Sequence, residues 1–159
     1  MKLSVDGCSR GNPGMAATGG ILRDHQGVIL AAFGSFLGHQ SILFAKLMAL
    51  LEGLDLPAQL GFSDLEVESD SATVVSWAIS SSFVRWDFTY ILGRVQALAS
   101  RSSISIRHVF LEATSTADFM ANWACTHQTC QRFFNPSDLP TGLSGILHLD
   151  TLGIPCIRH

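Results

Sequence analysis

Leu3-Ser4-Val5-Asp6-Gly7-Cys8-Ser9-Arg10-Gly11-Asn12-Pro13-Gly14 is the stretch from which the fold can be read. Residues 3–6 are a short β-like run ending in an acid, and 7–14 are rich in the Gly and Pro that make turns. The turn lacks the Gly-Lys-Ser/Thr ending of a nucleotide-binding P-loop and leads into a strand-like run instead of a helix. That excludes the P-loop reading. Downstream, 17–23 and 28–36 are also strand-like, separated by Asp24-His25-Gln26-Gly27, which is good hairpin chemistry. Three consecutive antiparallel strands follow.

The pattern then becomes helical. Residues 41–56 are rich in Leu, Met and Ala, and Pro57 is expected to stop that helix. Residues 65–69 alternate as a strand, and Ser71 is placed to cap a helix through Ile79. A Ser80-Ser81-Ser82 break precedes a helix over 87–101, a strand over 104–111 and a helix over 116–126 with Phe119 and Trp123 on one face. Strands joined through helices should run parallel, so the order βββαβααβα predicts a five-stranded mixed sheet, three strands antiparallel and then two parallel, with helices on both faces. Residues 1–134 are expected to form the domain. Residues 135–159, with Pro136, Pro140 and Pro155, are expected to be an irregular tail packing on it or trailing from it.

At 159 residues, 47% of them hydrophobic and 14% charged, the chain suits one globular domain with a full core. No apolar run reaches the roughly 20 residues of a membrane span, and an acid at Asp6 interrupts any signal-peptide core. An intracellular protein, cytoplasmic or nuclear, with no membrane partner is therefore expected. The net charge is −3, and only Lys2 and Lys46 among ten basic residues are lysines, which argues for weak binding if nucleic acid is the partner. Cys8, Cys125, Cys130 and Cys156 lack metal-finger spacing and read as reduced thiols. Trp77, Trp86 and Trp123 lie in or beside apolar helical patterns and are expected in the core. Arg85, Arg94, Arg101 and Arg107 could form a modest basic surface.

Asp6 and Asp70 each end an apolar strand, and Asp118 sits in the first turn of the last helix, where the helix dipole alone can explain an acid. Singly, each reads as structural. In combination with their surroundings they do not. Asp6 through Gly14, then Gly19-Gly20-Ile21-Leu22-Arg23-Asp24, then Glu68-Ser69-Asp70-Ser71, then Ala117-Asp118, closely resemble the plant, retrotransposon-derived branch of the type 1 ribonuclease H family, the branch associated with reverse transcriptases. The run from Ala45 to Leu54 is similar to that family's first-helix motif, and Leu139-Pro140 and Leu149-Asp150 are similar to its C-terminal pattern. The resemblance implies a ribonuclease H-like fold. It also implies a metal-dependent endonuclease that cleaves the RNA strand of an RNA/DNA hybrid, using four carboxylates and two Mg2+ or Mn2+ ions. Asp6, Asp70 and Asp118 would take three catalytic and metal-binding positions. Gly7, Cys8, Ser9 and Asn12 would approach the substrate, Asn12 towards a 2′-hydroxyl.

The fourth carboxylate position falls on Lys46. At about 100° per residue, Lys46 shares a helix face with Ala49, Leu50 and Gly53, while Glu52 and Asp55 are expected to face solvent. A lysine on such a stripe needs an anion nearby, and Asp6 and Asp70 are the candidates. Three acids and a lysine carry two net negative charges where four acids would carry four, so metal binding should weaken and hydrolysis should fall by orders of magnitude. Relatives often carry a histidine just before the last Asp, and Arg and Asn nearby. Residues 111–117 contain no histidine, Leu111 and Thr114 stand in that stretch, and His108 reads as a packed or edge residue of the preceding strand. Two readings stay open: an impaired ribonuclease H, or a non-catalytic relic that binds nucleic acid or a protein partner.

Overall fold

In a computed structural model, which describes residues 1–80, 85–101 and 103–152, the strands are β1 (Lys2–Arg10), β2 (Gly14–Arg23), β3 (Ile29–Gln40), β4 (Asp64–Ser69), β5 (Ser103–His108) and β6 (Cys130–Phe133). The helices are α1 (Ile42–Gln59), α2 (Ala72–Ile79), α3 (Thr89–Ser100), α4 (Ser115–His127) and α5 (Leu143–Leu152). The sheet order is β5-β4-β1-β2-β3-β6. β1, β2 and β3 pair antiparallel as expected, and β4 and β5 add in parallel beside β1. The sheet has six strands, not five. β6 pairs antiparallel with β3, from Ala32 opposite Phe133 to Ser35 opposite Cys130. Cys-Gln-Arg-Phe offers no alternation, and three of its four residues are exposed, so only the partner strand makes it β.

Other boundaries also move for tertiary reasons. β1 continues through Gly7–Arg10, which looked like a turn, because each of those residues faces a partner in β2. Pro57 does not stop α1. It lies in the last turn, buried, and costs the helix one interior hydrogen bond just before the end. The expected helix over 87–101 starts as a 3-10 turn at Trp86–Phe88, and the tail contains a 3-10 turn at Pro136–Asp138 and then α5. Ser81, Ser82, Pro155 and Cys156 lie outside the described residues.

The helices cover both faces of the sheet. On one side Leu47, Leu50 and Leu54 of α1 and Leu92 and Val95 of α3 pack on Leu3, Val5, Leu22 and Val67. On the other, Met120 of α4 and Leu143 of α5 pack on Ile21, Ala32 and Phe133, with Phe119 and Trp123 at the edge of that cluster. Trp77 packs against Phe88, which also meets Phe44. Trp86, expected in the core, is 89% exposed. Phe88 takes the inward position of that turn and leaves Trp86 outside.

Candidate active site

β1 and β4 run parallel, with Val5 opposite Ser69. Asp6 and Asp70, one residue further along each chain, therefore emerge side by side. Ser71 fixes the exit from β4. Its Oγ accepts the Val74 N–H at 3.3 Å and caps α2, so Asp70 sits at a strand-to-helix junction.

Two glycines flank Asp6 and let two helices close on it. A Cβ on Gly7 would lie 2.4 Å from the Ala45 carbonyl carbon and 2.5 Å from the Lys46 nitrogen, so α1 crosses β1 there, backbone against backbone. Gly19 is the cross-strand partner of Asp6. A Cβ there would lie 2.3 Å from both Ala117 O and Ala121 N, so the first turn of α4, carrying Asp118, rides on β2 beside Asp6. Only residues without a side chain allow these approaches.

Lys46 points into the space between the strands. Its Nζ donates to Asp6 Oδ1 at 2.7 Å and to Asp70 Oδ1 at 2.6 Å. The Lys46, Asp70 and Asp6 side chains are 17%, 10% and 2% exposed, so this three-membered ion cluster is largely withdrawn from water. Asp6 Oδ1 also accepts the Gly7 N–H at 2.8 Å. Burial pushes the Asp6 carboxyl up to about 7, the Lys46 ammonium opposes that rise, and the charges of Asp70 and then Asp118 add to it. Burial works to lower Lys46, but attraction and hydrogen bonds to Asp6 and Asp70 outweigh it and hold the amine above its ordinary value. The lysine is an ammonium. Asp118 accepts Asn122 Nδ2 at 3.2 Å, and its charge is felt at Asp6.

The other expected site residues are engaged within the protein. Gly7 seats α1, and Cys8 is half-buried against α4. Ser9 Oγ donates to Gly11 O and, at 2.9 Å, to Gln40 O. Asn12 Oδ1 accepts the Ile42 N–H at 3.1 Å and ties the β1–β2 loop to the start of α1. Glu52 does not face solvent as expected. It is largely buried and accepts Thr18 Oγ1 at 2.7 Å, with the Ser35 side chain as a second donor. Thr18 and Ser35 are paired across β2 and β3, and their hydroxyls draw the carboxylate under α1. Burial raises the Glu52 pKa and those hydrogen bonds oppose the rise.

His108 is exposed on edge strand β5, and its Nε2 lies 3.2 Å from the Asp70 carbonyl oxygen. Sequence reading missed that neighbour. The β4–β5 register, Ser69 opposite His108, carries the signal. Among the described residues no group of three or more His, Cys, Asp or Glu side chains is arranged to hold a metal ion.

A model of the family described as reverse transcriptase-like matches residues 4–124. The chain belongs to the reverse transcriptase-like family. As a member, it is 31% identical over 155 residues to a candidate ribonuclease H protein of Arabidopsis thaliana, covering 96% of this chain and 24% of that protein. The chain thus spans about a quarter of that relative's length. Among solved structures, RNase H1 of Halobacterium salinarum superposes with a TM-score of 0.74 at 31% identity, over 80% of this chain and 98% of the other. LC11-RNase H1, solved in complex with an RNA/DNA hybrid, gives a TM-score of 0.74 at 22% identity, covering 80% and 97%, and at that distance attests the fold alone. This reverse transcriptase-like chain is a ribonuclease H-like domain.

Proposed function

We propose that this domain binds RNA/DNA hybrid, weakly, and does not cut it at the rate its ancestry implies. A solved neighbour of the same fold carries such a hybrid, and the Asp6, Asp70 and Asp118 arrangement supports descent from a hydrolytic site. The observation behind the loss of cleavage is the Lys46 ammonium shared between Asp6 and Asp70.

The family implies Mg2+ or Mn2+, and the residues present do not fit an ion between Asp6 and Asp70. An ammonium already lies 2.7 and 2.6 Å from the oxygens such an ion would need, and a divalent cation beside it would be repelled. Lysine supplies charge but neither a ligand nor an activated water. The plant retrotransposon origin belongs to the same reading and rests on the motif set, with the Arabidopsis relative in keeping. So do a cytoplasmic or nuclear setting and the treatment of residues 1–134 as the binding unit.

The test is a hybrid assay in magnesium, with the protein and its Lys46→Glu variant side by side. Both should bind a labelled hybrid by fluorescence anisotropy. The variant should cleave at least about 10²–10³-fold faster, the usual size of a lost electrostatic partner. Equal turnover would refute the role given to Lys46, and absence of hybrid binding by either protein would refute the substrate class.

A further inference from the structure

We propose that Cys8 and Cys125 form a reversible dithiol/disulfide site that staples β1 to α4. Cys8 and Cys125 pack together with Ala17 and Ala124 in a small cluster between the sheet and α4. Ala17 is the cross-strand partner of Cys8. Cys8 packs against the cluster that holds Cys125, and the Cys125 thiol donates to Met15 O at 3.4 Å. Arg10 holds the register close by, its Nη2 donating to Thr126 Oγ1 at 2.6 Å and to Asn122 O at 3.2 Å. Both thiols are free. The inference does not depend on the nucleic-acid reading.

The two sulfurs differ in access, which sets the order of chemistry. Cys125 is 2% exposed and Cys8 is half-buried, so an external oxidant meets Cys8 first. With a low-molecular-weight disulfide as oxidant, the Cys8 thiolate attacks one sulfur and releases one small thiolate, leaving a mixed disulfide on Cys8. The Cys125 thiolate then attacks the Cys8 sulfur and expels the second small thiol. Two thiol protons and two electrons leave the protein, and the small disulfide is reduced to two thiols.

The reduced full chain is incubated with oxidised glutathione at mildly alkaline pH, quenched with iodoacetamide, digested without reduction and mapped by mass spectrometry. A peptide linking Cys8 to Cys125 is expected. The melting temperature should rise by roughly 5–15 °C, because the bond closes a loop of more than a hundred residues, and dithiothreitol should reverse the rise. Cys130→Ser should retain the linked peptide and the shift, and Cys125→Ala should lose both. If Cys8 and Cys125 of the unmodified chain stay alkylatable after exhaustive oxidation, or carry separate glutathione adducts, the site does not exist. The mapping on the unmodified chain decides the question even if a variant folds poorly.

Discussion

Lys46 and Asp6 exchange the costs of burial. The ammonium gives up water for two carboxylates, and Asp6, almost sealed off, keeps a proton far longer than an exposed acid does. The folded carboxyl titrates near 7 and the free side chain near 3.8, so between those values the folded state retains a proton the unfolded chain has released. The stability this contributes is complete below about pH 3.8 and is lost as pH rises through about 7. Replacing Lys46 by Met removes the principal influence lowering Asp6 and leaves two acids facing each other. The Asp6 midpoint should move above 7. The variant should lose about 3 kcal/mol at mildly alkaline pH and much less in acid. NMR titration of the carboxyl carbons, with urea melts at several pH values, checks both. An Asp6 midpoint near that of a free aspartate would show that the site is wetter than described. Glu52 shows what a residue-level reading cannot see: its helical angle directed it to solvent, and two hydroxyls from the sheet drew it inward.

α1 and α4 reach the site because β1 and β2 have no side chain where each helix crosses. Gly7→Ala would drive a methyl against the Ala45 carbonyl carbon, a backbone atom that cannot rotate away, and should cost about 3 kcal/mol or more. Gly93→Ala is the contrasting case. Gly93 lies exposed within α3 with nothing near its absent Cβ, and alanine there should add roughly 0.5–1 kcal/mol. Chemical denaturation of the two variants reads the difference. Equal effects would mean that α1 is not seated on Gly7 as closely as described. The sequence placed α1 to α4 within a few residues because their apolar spacing and caps are local signals, such as the Ser71 cap of α2. It missed β6, the continuation of β1 and the helical end of the tail. β6 and the end of β1 take their hydrogen bonds from partners remote in sequence, and α5 is anchored by Leu143 against Phe133 and Met120.

Across the whole molecule, much of the positive charge is already committed. Lys2 pairs with Glu68, Arg107 with Glu66 and Glu68, Arg85 with Asp87, Arg132 with Asp55, and Lys46 with its two aspartates. With a net charge of −3 and half of the ten basic residues held in these ion pairs, the chain offers little excess positive charge to displace counterions from a nucleic-acid backbone. Hybrid binding should therefore be weak, with a log–log salt slope of about −2 to −3, as for two or three phosphate contacts. An anisotropy series over increasing salt measures it, and a slope near that of strongly basic binders would contradict this distribution of charge. By itself the sequence determined the fold family and singled out Asp6, Asp70, Asp118 and Lys46 as candidate site residues, because strand alternation, helical periodicity and motif order are written in neighbouring residues. Only the tertiary structure decided that one ammonium bridges Asp6 and Asp70, that Glu52 turns inward to Thr18 and that Cys8 packs beside the cluster of Cys125. Each of those depends on the distance between segments far apart in the chain, and packing sets that distance.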